Sequence, residues 1–135
     1  MTEKEYYNQV TNLMGEIINL SEVQITFVDE QEKQVLGAYC FGVLNGYSLE
    51  RKINPIQIQG AMIDILVKIF NYPPSTSAQF CDFLIQCTDE KFHPSINAII
   101  HKGIEGYYEI KDGKKESIQQ VVNQIIKSVK YYSEK

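Results

Sequence analysis

A chain of 135 residues with 44% hydrophobic and 22% charged content has the proportions of one ordinary globular domain, so intrinsic disorder is not expected. Its net charge of −4 argues against a nucleic-acid binder held by phosphate contacts. No apolar run approaches the roughly 20 residues that cross a bilayer. The start MTEKEYYNQV lacks the basic head and apolar centre of a secretion signal, so a cytoplasmic protein is expected.

In chain order, Thr2 followed by Glu5 is a capping-box pattern. Behind it Tyr6, Val10, Leu13, Met14, Ile17 and Ile18 keep helical spacing to about Leu20. The piece 22–28 alternates and is rich in branched residues, which allows either a short strand or a poor helix. From Asp29, acids lead into a second helix, as the helix macrodipole favours. Its buried side is expected to be Leu36, Tyr39, Cys40, Val43, Leu44 and Tyr47. Gly37, Gly42 and Gly46 lie inside that helix and cost it roughly 1 kcal/mol each relative to alanine. Gly42 and Gly46 stand one turn apart, which suits the close approach of another helix. A phosphate-cradling loop needs a Gly-rich turn between strand and helix with a lysine nearby, and GVLNG offers none of that.

Asn54-Pro55-Ile56-Gln57 combines a cap, a proline in the first turn and a glutamine at the third position, a strong helix start. Ile58, Ala61, Met62, Ile65, Leu66, Ile69 and Phe70 follow at spacings of three and four, the clearest core helix by pattern. Asn71-Tyr72-Pro73-Pro74 ends it. Ser75 to Ser77 is expected to cap a fourth helix carrying Phe80, Cys81, Phe83, Leu84 and Cys87. A fifth helix starts at Pro94 and runs to Ile110, and Asp112-Gly113 turns the chain. The last helix carries Ile118, Val121, Val122, Ile125, Ile126 and Val129. The expected fold is therefore all-α: residues 1–135 as one domain of five to six helices, with a short strand allowed at 22–28.

Cys40, Cys81 and Cys87 are odd in number and embedded in apolar sequence, with no CxxC pair, and read as reduced core thiols. His93 and His101, eight residues apart on one helix, stand about 12 Å from each other and cannot share an ion. No second ligand pair accompanies His101 and Glu105, so no metal and no cofactor is expected. No nucleophile elbow or comparable signature is present, and no catalytic residue is assigned. Nine tyrosines without a tryptophan suit an interface, because tyrosine buries a large area and keeps a polar tip. Tyr6/Tyr7 and Tyr131/Tyr132 are adjacent pairs of which one member faces outward. Residues 1–32 hold seven acids against Lys4, net −6, whereas residues 111–135 hold six lysines against three acids, net +3. The acids Asp29, Glu30 and Glu32 form a front suited to attracting a basic partner.

The segment FHPSINAIIHKGIEGYYEI is the most specific in the chain. As a helix it places Ile96, Ile99, Ile100, Ile104 and Tyr107 on one apolar face with Gly103 in its middle. Beside that face runs a polar stripe of Asn97, His101, Glu105 and Tyr108. Two readings of the stripe stand: an internal hydrogen-bonded network, or a partner-binding surface.

The run HPSINAIIHKGIEGYYEI, with AYCFGVLNGYSLE and SAQFCDFLIQCT before it, resembles a bacterial family of small helical immunity proteins from polymorphic-toxin systems, of the group termed immunity protein family forty-eight. The resemblance spans roughly residues 5–110, with Asn97 to Tyr107 its most specific part. It implies a cytosolic, non-enzymatic protein that binds and neutralises a cognate toxin domain encoded beside it. It supplies no catalytic residues. Two other classes compete: a small helical enzyme using His101 with Glu105, and an adaptor or chaperone for a secreted effector.

Overall fold

A computed structural model describes residues 1–24 and 28–133, with side chains through Ser128. Among the described residues there are six helices and no strand: α1 (Glu3–Ser21), α2 (Glu30–Glu50), α3 (Pro55–Lys68), α4 (Pro74–Gln86), α5 (Pro94–Lys111) and α6 (Glu116–Ser133). The strand allowed at 22–28 falls largely on residues 25–27, outside the described residues. Glu22, which ends α1 in the left-handed region, and Val23 and Gln24 belong to no strand.

Local chemistry sets most helix starts. Thr2 accepts the Glu5 backbone N–H at 3.1 Å, Asp29 accepts that of Glu32 at 2.8 Å, and Asn54 accepts that of Gln57 at 2.9 Å. Each satisfies one of the donors that a helix leaves orphaned in its first turn. The fourth helix departs from expectation. It begins at Pro74 with Pro73 as its cap residue and no side-chain cap bond. The proline ring already sets the helical φ and lacks an N–H to satisfy. Ser77 consequently lies inside α4 and is buried. α5 starts at Pro94 behind His93, whose Nδ1 accepts the Ile96 N–H at 3.2 Å.

The centre of the molecule is α2, not α3. Every residue from Val35 to Leu44 is buried, so the helix is covered on all sides where its pattern suggested one face. The buried residues of all six helices join in one core cluster. α1, α3, α5 and α6 each contact α2, while α4 packs on α3. Each fully buried Leu, Ile or Met of this cluster contributes on the order of 1.5–3 kcal/mol. The stripe of α6 is inside as expected at Ile118, Val122 and Ile125. The side chain of Val129 lies outside the described residues, as do those of Tyr131 and Tyr132.

The α2–α5 contact is the most extensive in the fold and the one most dependent on particular residues. Gly42 meets Gly103, Gly46 meets Tyr107, and Glu50 meets Lys111. The constant offset means that the two helices run parallel. A Cβ added at Gly42 would stand 2.8 Å from the Gly103 Cα and closer still to the Ile100 carbonyl oxygen. One added at Gly103 would meet the Gly42 Cα at 2.9 Å and crowd the Tyr39 carbonyl. Real side chains do not pack at such distances, so the backbones touch only because both positions are glycine. This close packing fixes which face of α5 is turned outward.

Candidate functional site

With Gly103 and Ile100 pressed on α2, the opposite side of α5 presents His101, Glu105 and Tyr108 to solvent. Tyr108 keeps 46% of its surface exposed. Asn97, the fourth member of the expected stripe, is buried at 6% exposure. Its amide donates to the carbonyls of Cys87 at 3.0 Å and Thr88 at 3.2 Å. These carbonyls sit just past the end of α4, where helical partners run out. Asn97 thus ties α4 to α5, and among the described residues no hydrogen bond links the four stripe residues to one another. The internal-network reading does not hold: one residue locks the fold and three face outward.

Below the stripe, toward the ends of α2 and α5, lies an aromatic and charged corner. Tyr7, Tyr6, Tyr47, Tyr107 and Tyr108 form a continuous run of rings, with neighbouring centroids 5.2 to 6.4 Å apart. Such spacings match the edge-to-face and offset arrangements that the ring quadrupole favours. The run passes from partly buried Tyr7 through buried Tyr6, which shares a 2.6 Å hydrogen bond with Ser48, and ends outside at Tyr108. The Arg51 guanidinium lies 3.7 Å from the Tyr47 ring centroid and donates to the Tyr107 hydroxyl at 2.9 Å. Lys111 pairs with Glu50 and approaches the Tyr108 ring at 6.0 Å. The hydrogen bond from Lys111 holds the Glu50 carboxyl below the usual carboxylate range. Held in these geometries, Arg51 and Tyr108 are largely pre-organised for contact, and arginine and tyrosine are the residue types that anchor interfaces most often. In both described tyrosine pairs one ring is buried and its neighbour reaches further outward: Tyr6 with Tyr7, and Tyr107 with Tyr108.

The acidic start of α2 is less of a front than its composition suggested. Glu32 is buried at 6% exposure and is engaged in the fold. Asp29 spends one oxygen on capping α2. Glu30 is exposed and accepts a 2.7 Å hydrogen bond from the Tyr72 hydroxyl. That bond, after burial itself, raises the Tyr72 hydroxyl's pKa above the ordinary tyrosine value. Part of the remaining charge asymmetry is answered internally, since Lys115 pairs with Glu16 at 2.8 Å where α6 crosses α1. Among the described residues no three His, Cys, Asp or Glu side chains converge in the manner of a metal site. His93 is occupied as a helix cap, while His101 and Glu105 stand on an open helix surface.

The profile of the family described as Immunity protein 48 matches residues 6–130. The chain belongs to that family. No curated protein and no solved structure matches it. The match extends past α5 into α6, beyond residues 5–110 that carry the resemblance.

In this member of the Immunity protein 48 family, three apolar residues outside the expected stripes are exposed. Leu49 is 62% exposed, Ile56 is 80% exposed, and Ile85 is also exposed. They meet around a hollow of about 290 Å³ between the end of α2, the start of α3 and the end of α4. For two of them the signal was available: on a helical wheel Ile56 lies about 160° from Ile58 and Leu49 about as far from Tyr47, whereas Ile85 stands only about 40° from Cys81, at the edge of the α4 stripe. Singly exposed apolar residues are ordinary on a protein surface, and these three stand out only because they adjoin one hollow. Arg51 and Lys111 gave no such signal, because their partners Tyr47, Tyr107 and Glu50 come together only through the α2–α5 packing.

Proposed function

We propose that this chain is an immunity protein that binds a cognate toxin domain with one-to-one stoichiometry and neutralises it by covering or plugging its active site. The observation that carries this reading is the family match over nearly the whole length of the chain. The exposed α5 stripe supports it: His101, Glu105 and Tyr108 are polar or aromatic and lie outside the core. Together with Arg51 and Lys111 they form the contact surface of the proposal. Asp29 and Glu30 act at longer range, steering a basic partner toward it. Asn97 and Glu32 act through the fold. Residues 1–135 work as one unit, in the cytoplasm and without catalysis or cofactor. No helix among the described residues is long and apolar enough to cross a membrane.

The test is co-expression with the toxin domain encoded beside this gene. The wild-type chain restores growth and co-purifies with the toxin at equal stoichiometry. His101→Ala and Tyr108→Ala, assayed in parallel, weaken binding while their melting temperatures stay at the wild-type value. Growth restored without complex formation would replace binding by turnover of the toxin's product. Complex formation with toxin activity intact would make the chain an adaptor.

A further inference from the structure

We infer that a second hollow, between the start of α2 and α4, binds the guanidinium of an arginine presented by a partner protein, which on the immunity reading above is the toxin domain. The hollow measures about 410 Å³. α4 packs on α3 and touches α2 where the Phe80 ring lies over Gly37. Beside that contact, Glu30 and Gln34 stand one turn apart on α2, while Phe80 and Phe83 follow at helical spacing on α4. Tyr72, in the connection that precedes α4, completes the wall.

Three aromatic rings are held in place here by the fold. Tyr72 stacks on buried Phe70 with centroids 6.3 Å apart, and its backbone N–H donates to the Leu66 carbonyl at 3.1 Å. Phe80 stands edge-on to Tyr72 at 6.1 Å and stacks with Phe83 at 6.3 Å. Ring faces attract cations, and the Lys33 ammonium already lies 5.5 Å from the Tyr72 centroid. Glu30 supplies the charge of the hollow. One of its oxygens accepts the Tyr72 hydroxyl at 2.7 Å, and among the described residues no cation pairs with the other. The side chains of Gln34, Thr76 and Gln79 make no hydrogen bond among the described residues, which leaves further acceptors around the carboxylate.

This set of groups selects its occupant. Glu30 repels an anion, and an apolar side chain would strip water from the carboxylate without pairing it. An ammonium answers the charge alone. A guanidinium also lies flat on a ring and offers five donors to the surrounding oxygens. Glu30 thus acts in contact as well as by steering.

The test has two arms. In the first, the isotope-labelled chain is titrated with N-acetyl-arginine amide and followed by NMR. The citrulline analogue, in which a neutral urea replaces the guanidinium, is the control. Saturable shifts at Glu30, Gln34 and Phe83 are expected with the arginine probe alone. Glu30→Gln, which keeps the volume and an acceptor for Tyr72, should weaken that binding by about tenfold. Absence of saturable shifts, or equal binding of the citrulline analogue, would overturn the proposal. In the second arm, calorimetry measures affinity for the toxin domain encoded beside this gene. Glu30→Gln and Phe83→Leu should each weaken it by about 10- to 100-fold, with Glu30→Gln melting as wild type. The loss should persist at high salt, where steering fades. Wild-type toxin affinity in both variants would overturn the toxin as the source of the arginine and leave the immunity reading standing. Failure of the wild-type chain to bind the toxin, with the first arm positive, would sink the immunity reading and keep the arginine site.

Discussion

Alanine at Gly42 or Gly103 is expected to destabilise the protein, although alanine is the better helix former. In the interior of a free helix the substitution would gain up to about 1 kcal/mol. Here the new Cβ at Gly42 stands 2.8 Å from the Gly103 Cα, 0.6 Å short of where ordinary contact begins at 3.4 Å, and the Ile100 carbonyl is closer still. The obstacles are backbone atoms, so no rotamer change relieves them and α5 must move off α2. Overpacking of this kind typically costs about 1–3 kcal/mol, occasionally more. Moving α5 also strains the Asn97 bonds to the end of α4, which puts the cost at the upper end. Net of the propensity gain, about 2 kcal/mol should be lost, or roughly 6–8 °C in melting temperature for a domain of this size. Gly15 is the internal control, because a Cβ there meets nothing within 4 Å. Gly15→Ala should raise stability by roughly 0.5–1 kcal/mol. The double change Gly42→Ala with Gly103→Ala should cost less than the sum of its parts, since one separation accommodates both methyl groups. Urea and thermal unfolding of the four variants measure all of this. If Gly42→Ala and Gly103→Ala both proved as stable as wild type while Gly15→Ala behaved as expected, the backbone contact would not be what sets the position of α5.

Removing the amide of Asn97 by Asn97→Ala leaves two carbonyls at the end of α4 without their partner, and should cost about 1–3 kcal/mol with toxin affinity of the folded protein unchanged. A loss of affinity at full stability would return Asn97 to the binding surface. Burial pushes the thiols of Cys40 and Cys81 up to about 12, with the Asp82 charge adding to the effect at Cys81. The native protein should therefore resist alkylation near pH 8, and all three cysteines should label in urea. Because the folded thiols hold their protons longer than the unfolded ones, whose ordinary value is 9.0, their contribution to stability should be flat below about pH 9 and fall as pH rises toward 12. Chemical unfolding across that range checks the sign. Glu30→Lys, with the Asp29 cap left in place, should slow association with a basic toxin at low salt and lose that effect as ionic strength rises. An association rate indifferent to both the substitution and the salt would end the steering role.

The helices of this protein were legible in the sequence because their causes are local. Thr2, Asp29 and Asn54 cap the turns they precede, prolines open α3, α4 and α5, and apolar residues recur at helical spacing in every helix. At Ser75 to Ser77 two local signals competed, and proline started the helix before serine could cap it. What local pattern does not contain is which helix ends up surrounded. α2 looked one-sided, and only the packing of α1, α3, α5 and α6 around it shows why Ala38, Phe41 and Gly42 are also inside. Its glycines hinted at close packing, but the partner Gly103 could be identified only once both backbones were in place. The same applies to the candidate surface. Periodicity put Asn97, His101, Glu105 and Tyr108 on one stripe, yet burial is decided by the neighbouring helix end, so Asn97 goes to the fold and the other three to solvent. Ile56 and Leu49 could each be seen to lie opposite its own helix's stripe, whereas Ile85 adjoins the stripe of α4. That they share one hollow depends on three helix ends meeting in space, which is a property of the tertiary structure alone.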